Sequence, residues 1–504
     1  MKSRIYSFLC LLVLLSSCKD QEKVIDYLQI ADGSFLAIEE LHGNLEVPWE
    51  MQYLPSEHAI YFTQIKGKIS KLDLSTNKMK DIYHVPNVFH QRTLGLLGLA
   101  IHPNFEKNPF LYICYTTKEG EELFSELSRL EIHEDKVVNT KLLLKIEGGT
   151  GHNGSRLLFD QKGYLFWATG DVHSETHAQD STTLNGKVLR MTADGLIPVD
   201  NPIKDSYVYA WGFRNIQGMT ETSLGHIFTS EHGDAIEDEV NWIRPLNNYG
   251  WIEIEGFHDT AEEKAIAAKS PRTEPSRSWT PVIAPSALVY YGNNLIPSWN
   301  NSLLLGTLKS QSLRILKMNS EQNEITQEEI YLKDHYGRIR AICVDTTGNI
   351  YLATSNRDWN PQSSFPKKTD DRILKLHPTK DIPKTFLSRF KENKVKATDG
   401  KTLYNTYCAS CHKEDGKGIK GNFPPLQDTE AVRNSERLLQ SVFKGVNGKI
   451  EINSVIYEGQ MPPFNFLKDE EIQAITNYIR SNFGNQFSEI GLQEIKVARE
   501  RHTK

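Results

Sequence analysis

RLLFDQKGYLFWATGD (156–171) and AICVDTTGNIYLATSN (341–356) are two versions of one pattern in distant parts of the chain. In each, an apolar stretch leads into a polar turn with glycine, and a run rich in aromatic and aliphatic residues follows. A segment of alternating basic and apolar residues comes next, GKVLRM (186–191) after the first and DRILKL (371–376) after the second. The pattern predicts antiparallel strands joined by tight turns.

Weaker copies of this pattern fill the rest of the first three quarters of the chain, at residues 51–74, 99–132, 209–233 and 288–318. Six strand-rich units recur between residues 35 and 380, and none is long enough to bury both of its own faces. Such a repeat predicts an all-β domain, a six-bladed β-propeller. A β-sandwich or two barrels is the alternative, and the even spread of the repeat disfavours it.

The composition changes after the last repeat. Residues 381–396 are charged and short of apolar side chains, which indicates a linker. Residues 397–486 carry apolar side chains at helical spacing and predict a small all-α domain, while residues 487–504 read as a solvated tail. A chain of 504 residues is also too long for one ordinary core.

The overall balance excludes several classes of protein. Hydrophobic residues make up 39% and charged residues 24%, which is typical of a soluble globular protein. The net charge is −6 with acids and bases interspersed, which argues against a nucleic-acid partner. After the N-terminal segment, no stretch of the sequence has the ~18 consecutive apolar residues of a membrane span.

Residues 1–18 resemble a bacterial lipoprotein signal peptide. Lys2 and Arg4 precede an apolar run, and Leu-Ser-Ser closes it directly before Cys18. The sequence therefore predicts a lipidated Cys18, a polar tether over residues 19–34, and a place in the bacterial cell envelope, periplasmic or surface-facing. The membrane would be contacted through the lipid anchor only. An ordinary secretory signal with an incidental Cys18 is the alternative.

Cys408-Ala-Ser-Cys411-His412 has the spacing of a c-type haem attachment site. The two thiols would form the thioether bonds to haem c, and His412 would be an axial ligand of the iron. Met461, in a Gly-Gln-Met-Pro-Pro-Phe sequence, is the only methionine after Met318 and is the predicted second ligand. A histidine–methionine pair favours electron transfer, which predicts a cytochrome c domain. Core packing is the alternative role for Met461.

Two further cysteines, Cys114 and Cys343, lie in apolar strand-like runs. An oxidising compartment would allow a disulfide between them. Two separate buried thiols are the favoured prediction, because free cysteine packs as a small apolar side chain.

Several strings, taken in order, resemble the soluble glucose/sorbosone dehydrogenase family, whose members are pyrroloquinoline quinone (PQQ)-dependent aldose sugar dehydrogenases. The strings are GLLGLAIHPNF (95–105), HNGSRLLF (152–159), ATGD (168–171), WGFRNIQGM (211–219), SEHGDAIEDEVN (230–241) and NNYGW (247–251). The resemblance implies a six-bladed propeller that binds PQQ and calcium on its upper face. It also implies oxidation of the C1 hydroxyl of aldose sugars.

The resemblance makes His152 the general base that removes the proton from this hydroxyl. Histidine titrates in the range that such a base requires. Asp171, at the end of ATGD, matches an acidic residue beside the base and would orient the imidazole or the sugar hydroxyls.

The resemblance also assigns the residues that hold PQQ, an anion with three carboxylates. They are Arg214, Asn215 and Gln217 in GFRNIQG, Lys309 in GTLK, and Arg338 and Arg340 in GRIR. Guanidinium groups suit this task because they grip carboxylates at two points. A surface charge is the alternative for each basic residue, although an Arg-x-Arg pair in a strand puts both side chains on one face.

Calcium, a hard cation that prefers oxygen ligands, is implied at two places. Backbone carbonyls of Gly233 and Asp234 match those that help to hold the calcium on PQQ. Glu239 and the carbonyl of Tyr249 match a second, structural calcium. The acidic run 237–239 would otherwise be a solvated loop.

Some positions depart from the family pattern and leave the substrate open. Arg92 or Thr93 stands where some relatives carry another polar residue, Gly151 stands where some carry an acid, and the loop before PVIAPSAL is short. The main hypothesis is a lipid-anchored quinoprotein that passes electrons from an aldose through PQQ and haem to an external acceptor, with a haem domain that swings towards the PQQ face. A non-catalytic propeller that binds a protein or glycan, and a dehydrogenase of non-sugar alcohols or aldehydes, are the alternatives.

Overall fold

The computed structural model describes residues 24–174, 176–358, 362–391, 399–457 and 460–502. The predicted signal peptide and its Cys18 lie outside the described residues. No helix among the described residues is both long and apolar enough to cross a membrane.

The first two strands of the chain belong to the last sheet of the propeller. β1 (Val24–Gln29) and β2 (Phe35–His42) form a hairpin, and β2 then pairs with Ile373–Thr379 from the far end of the propeller. Pairing the two ends of the propeller in one sheet closes the ring and leaves no open edge between them. The prediction of a tether over residues 19–34 was therefore wrong in part, because the strand begins at Val24.

Six antiparallel sheets confirm the predicted six-bladed propeller. The first three blades contain β3 (Pro48–Leu54), β4 (Ala59–Gln64), β5 (Lys68–Asp73) and β6 (Lys78–His84); β7 (Leu96–Ile101), β8 (Phe110–Glu119), β9 (Glu122–His133) and β10 (Lys136–Glu147); and β11 (Arg156–Phe159), β12 (Leu165–Ala168), β13 (Lys187–Met191) and β14 (Val208–Trp211).

The other three blades follow the same plan, and the last one has five strands because it includes β1 and β2. They contain β15 (Ile216–Glu221), β16 (Ile227–Glu231), β17 (Asp238–Ile243) and β18 (Arg277–Trp279), with helix α1 (Ala261–Lys269) inserted before β18; β19 (Pro285–Tyr291), β20 (Ser302–Thr307), β21 (Leu313–Met318) and β22 (Ile325–Tyr331); and β23 (Ile339–Val344), β24 (Ile350–Thr354) and β25 (Ile373–Thr379).

The first strand of every blade faces the central axis. β3, β7, β11, β15, β19 and β23 contact one another in a closed ring. The apolar cores lie between adjacent blades, so a middle strand such as β12 is buried along its whole length. Cys114 and Cys343 are both buried and free, in two different cores, which confirms the prediction of separate thiols.

The second domain is helical, as predicted. It contains α2 (Gly400–Tyr407), α3 (Ala409–His412), α4 (Glu430–Arg433), α5 (Ser435–Lys444), a small hairpin of β26 (Ile450–Ile452) and β27 (Val455–Tyr457), α6 (Asp469–Ser481) and α7 (Leu492–His502). In α5, Asn434 caps the N-terminus by accepting a hydrogen bond from Arg437 N, and Gly445 ends the helix at φ 70°. The apolar face of α5 packs into one core with those of α2 and α6.

The prediction of a solvated tail over residues 487–504 was wrong. Ile495 and Ala498 of α7 are 0% and 2% exposed and pack against the helical core. Arg499 Nε donates a hydrogen bond to Asp469 Oδ1 at 2.7 Å, which ties α7 to α6. The helical domain therefore extends to residue 502.

The predicted linker, residues 381–396, is fixed to the propeller over its first half. Leu387 N donates to Tyr27 O, and Gln29 N donates to Leu387 O, each at 2.8 Å. Phe390 N donates to Ile330 O at 2.8 Å. Residues 392–398 lie outside the described part of the chain.

The helical domain lies directly on one face of the propeller. Ala235 and Ile236, in the loop before β17, pack into the core of the helical domain. Arg92, in the loop before β7, donates a hydrogen bond to Gly421 O at 3.0 Å. The two domains are therefore already in contact, whereas the sequence led us to expect that the haem domain would have to swing towards the propeller.

Candidate active site and haem site

His152 and Asp171 form a hydrogen-bonded pair on this face. His152 lies in the loop before β11, and Asp171 follows β12 of the same blade. His152 Nδ1 lies 2.8 Å from Asp171 Oδ1. Since a carboxylate only accepts, Nδ1 carries the proton and donates it, which leaves Nε2 able to accept a proton from a substrate.

Two further hydrogen bonds hold the carboxylate of Asp171. Trp251 Nε1 donates to Oδ2 at 2.7 Å, and His173 N donates to Oδ1 at 2.9 Å. The carboxylate therefore cannot rotate without losing partners, and it fixes the orientation of His152.

The imidazole of His152 is neutral at physiological pH. Burial and the nearby charge of Arg214 lower the pKa of His152 to about 3, although Asp171 acts in the opposite direction. A neutral imidazole is the form that a general base requires.

A second histidine, His173, lies against the first, with the two rings tilted by 37°. The centroids of the two imidazole rings are 3.8 Å apart. A Cβ at Gly151 would come within 2.5 Å of His173 Nε2, so His173 occupies the space that a side chain at position 151 would use. This contact accounts for glycine at the position where some family members carry an acid.

Four cationic side chains belong to the set that the resemblance assigned to PQQ, and one of them, Arg214, lies near enough to His152 to affect its pKa. Arg214, Arg338 and Arg340 are 8%, 4% and 4% exposed, and each has a buried Nε without a hydrogen-bond partner among the described residues. Burial lowers the pKa of Arg340 to about 10 and also lowers that of Lys309. Buried cations without full pairing are costly, so an anion is the missing partner.

The two amide side chains of this set connect the cations to the base. Asn215 Oδ1 accepts from Gly154 N at 3.2 Å and from Gln217 Nε2 at 3.1 Å. Gln217 Oε1 accepts from Arg340 Nη1 at 3.0 Å. Asn215, Gln217 and Arg340 therefore form one hydrogen-bonded group beside the loop that carries His152.

Asp358, which the sequence analysis did not single out, also lies in this group. Its Oδ2 is 3.3 Å from Arg338 Nη2 and 3.6 Å from Arg340 Nη2. The paired contact confirms that both arginines present their side chains to one point, as the Arg-x-Arg spacing predicted. The residues present fit an anionic, multiply charged cofactor.

The acidic run before and within β17 is not a solvated loop. Asp238 and Glu239 are 1% and 6% exposed. Asn241 Nδ2 donates to Glu239 Oε2 and to Glu231 Oε1, each at 2.9 Å, which brings these two carboxylates together. Burial raises the pKa of Glu239 to about 7 and that of Glu255 to about 8.

Buried carboxylates that share one donor fit a hard divalent cation, which relieves their repulsion. No group of three or more His, Cys, Asp and Glu side chains that could hold a metal occurs in the described part of the chain. Backbone carbonyls, such as those predicted at Gly233, Asp234 and Tyr249, would have to complete the shell. The side chain of Asp234 accepts from Arg214 at 2.7 Å, so the predicted calcium loop adjoins the cationic group.

The haem motif lies at the start of the helical domain. Cys408 precedes α3, Cys411 lies within it, and neither forms a disulfide. His412 Nδ1 lies 2.9 Å from Pro424 O and donates to it, which leaves Nε2 for the iron. Met461 exchanges two backbone hydrogen bonds with Val446, at 2.9 Å each, and packs against the helical core. These residues fit a histidine–methionine haem c.

Comparison with known families agrees with the two-domain organisation. The glucose/sorbosone dehydrogenase family model matches residues 45–360, and the cytochrome c model matches residues 397–483. The chain belongs to the glucose/sorbosone dehydrogenase family. It combines the propeller of that family with a cytochrome c domain.

Known proteins resemble each part separately. Aldose sugar dehydrogenase YliI of Escherichia coli K12 is 29% identical over 338 residues, which cover 63% of this chain and 89% of that protein. Cytochrome c-552 of Thermus thermophilus is 36% identical over 111 residues, 20% of this chain and 84% of that protein. The solved structure of the PQQ-bound aldose sugar dehydrogenase from Streptomyces coelicolor has a TM-score of 0.60 at 27% identity and covers 68% of this chain and 98% of that one.

Sequence reasoning missed three residues of the site besides Asp358. Trp251 and His173 contact Asp171 or His152, and Gln460 of the cytochrome domain hydrogen-bonds the His173 side chain. His173 follows ATGD by two residues, and its place beside an aspartate was an available signal. No local signal connects Gln460 with His173, because the two lie in different domains.

Proposed function

We propose that this protein oxidises the C1 hydroxyl of an aldose sugar with PQQ and passes the electrons to its own c-type haem. One observation carries the proposal. A buried, neutral His152 held by Asp171 lies near buried arginines whose Nε atoms have no partner among the described residues, on the propeller face that the cytochrome domain contacts.

His152 Nε2 takes the proton of the C1 hydroxyl, since Nδ1 is committed to Asp171. Asp171 stabilises the imidazolium that forms, and Trp251 keeps the carboxylate in place. When bound, PQQ would supply a hydride acceptor for C1 and the haem a one-electron relay towards an external acceptor.

The cationic group orients the cofactor. Arg214, Lys309, Arg338 and Arg340 bind its carboxylates, and Asn215 and Gln217 supply further hydrogen bonds. We assign one calcium to the carbonyls of Gly233 and Asp234, where it would act as a Lewis acid, and a second to Glu239 and the carbonyl of Tyr249.

The proximity of Lys309, one of the predicted PQQ ligands, to the haem-attachment cysteines Cys408 and Cys411 supports direct transfer between the two cofactors. Cys408 and Cys411 would therefore hold the haem on the side of the helical domain that meets the propeller. A lipid anchor at Cys18 would place this reaction in the cell envelope.

The test uses the full-length, haem-loaded protein. PQQ and Ca²⁺ are added, aldoses and simple alcohols are supplied in turn, and reduction of the haem is followed in the visible spectrum. We expect reduction that requires PQQ, Ca²⁺ and an aldose. Reduction with alcohols alone would favour a non-sugar dehydrogenase, and no PQQ-dependent reduction with any compound would favour a binding module.

A further inference from the structure

A cavity of 610 Å³ lies between the propeller and the cytochrome domain. Lys66, Arg92 and Asp358 line it from the propeller, and Lys413, Ile419 and Asn422 line it from the cytochrome. Its volume is within the ~300–1,000 Å³ that small-molecule sites occupy.

The cavity reaches the cofactor site of the propeller. Asp358 lines it and is also the residue that pairs with Arg338 and Arg340. Arg92 lines it and bonds the cytochrome at Gly421 O, which places the contact between the domains at the cavity wall. A small molecule in this space would therefore lie between the two domains and next to the cationic group.

A residue of the cytochrome domain also lies beside the base. His152 has only 14% of its side chain exposed. His173, whose ring lies against that of His152, donates a hydrogen bond to the side chain of Gln460, the residue before the predicted iron ligand Met461. Ala235 and Ile236 of the propeller also contribute to the contact between the domains, because they pack into the cytochrome core.

We propose that the cytochrome domain forms one wall of the substrate chamber, so that an aldose reaches His152 through this cavity and is selected in part by cytochrome residues. The inference rests on the proposed function. The lining suits a polyhydroxylated ligand, because it is polar on both walls, and Lys66 of the propeller and Asn422 of the cytochrome carry N–H groups that can donate to hydroxyl oxygens.

The experiment narrows the cavity from each wall. Asn422→Trp adds bulk from the cytochrome side, and Lys66→Trp adds it from an exposed turn of the propeller. Lys420→Trp is the matched control, since Lys420 is exposed in the same loop as Asn422 and does not line the cavity. Turnover of the PQQ- and Ca²⁺-loaded protein is read with a small soluble electron acceptor, so that it does not depend on the haem.

We expect KM for aldoses to rise roughly tenfold in Asn422→Trp and in Lys66→Trp, the size of one overpacked contact, with kcat less affected. Lys420→Trp should keep the parental KM. The rise in melting temperature that the sugar causes in the loaded protein should shrink in the same two variants, which gives a readout independent of turnover.

Three outcomes separate the hypotheses. An active parent protein whose KM and sugar-induced melting shift are the same in all three variants overturns the chamber and leaves the proposed function intact. A parent protein that turns over no sugar overturns both. If Asn422→Trp loses its haem spectrum, Lys66→Trp decides the question, because Lys66 belongs to the propeller and its substitution changes no residue of the haem-binding domain.

Discussion

The propeller and the cytochrome domain each bury an arginine, and they treat it in opposite ways. Arg480 of the cytochrome donates to Val432 O, Arg433 O and Ser488 O, at 2.5, 3.0 and 2.7 Å. Arg340 of the propeller is equally buried, but its Nε has no partner among the described residues. The first arginine bonds backbone carbonyls and stabilises the fold, whereas the second contacts Gln217 and Asp358 and keeps one donor for a ligand.

This difference shows two ways of holding a cofactor. The propeller presents preorganised arginines whose hydrogen-bonding capacity is only partly used, and this incomplete pairing costs stability until a cofactor binds. The cytochrome domain would attach its cofactor through two cysteines beside an apolar core.

Replacement of both Cys408 and Cys411 by alanine should abolish covalent haem, because no thiol then remains in the motif. The measurement is haem staining after denaturing electrophoresis. Cys114→Ala, which changes a buried thiol of the propeller core, should leave the haem content unchanged. Covalent haem in the double variant would contradict the assignment.

His152→Ala should lower kcat for an aldose by about 10²–10⁴-fold, the usual contribution of a general base. PQQ should still bind, because the cationic group is intact, and a titration of cofactor binding checks this. His84→Ala, at an exposed position of β6, is the control and should keep full activity. Parental turnover in His152→Ala would remove the base assignment.

Much of the fold could be predicted because each blade repeats one local pattern. An apolar strand, a glycine turn and a second strand in residues 156–171 specify the same unit as residues 341–356. The ring closure could not be predicted in this way. β1 and β2 form a local hairpin, but the pairing of β2 with β25 joins residues more than 300 positions apart.

The same distinction between local patterns and long-range contacts applies to the residues of the site. His152, Asp171 and the Arg-x-Arg pair occur in short motifs whose chemistry the sequence displays. The contact between Gln460 and His173 depends on how two domains pack, which no local pattern encodes. The same limit explains why the sequence did not predict that α7 is buried. Its few apolar residues, Leu492, Ile495 and Ala498, are spaced for one face of a helix, but they stand within a charged segment.

Ile495→Ala should lower the free energy of unfolding of the cytochrome domain by about 2–5 kcal/mol, the range for deleting a fully buried aliphatic side chain. Denaturant unfolding followed at the haem Soret band measures this. Val497→Ala, on the exposed side of the same helix, should change the stability by less than about 0.5 kcal/mol. Equal effects of the two substitutions would support the original prediction of a solvated tail.

Arg340→Gln should weaken PQQ binding by about 1.5–3 kcal/mol, the value of a hydrogen bond to a charged group, while the cofactor-free protein keeps its stability. Arg480→Gln should do the reverse, with unchanged PQQ affinity and a less stable cytochrome domain. Calorimetric titration and thermal unfolding measure the two quantities. If Arg340→Gln destabilised the cofactor-free protein, Arg340 would stabilise the fold as Arg480 does, and the proposed difference between the two arginines would be wrong.

The smallest expected effect concerns the pH dependence of the base. The pKa of His152 is lowered to about 3 mainly by burial, and His173 contributes to the lowering. His152 therefore remains neutral as the pH falls well below 6.5, the ordinary pKa of histidine, and kcat/KM should begin its acid decline only below that value. Since the unfolded chain binds this proton at a higher pH than the folded chain, the same group makes folding more favourable as the pH rises from 3 to 6.5.

His173→Asn removes a side chain whose charge lowers the pKa of His152. The pKa of His152 should therefore rise, and the acid decline of kcat/KM should move to higher pH. A pH series of kcat/KM with the soluble acceptor measures the shift, and His58→Asn, at a histidine away from the site, should leave the profile unchanged. A decline that moves to lower pH in His173→Asn would mean that His173 stabilises the protonated base. His152 and His173 would then share one proton, and the acid decline would report the pair and not His152 alone.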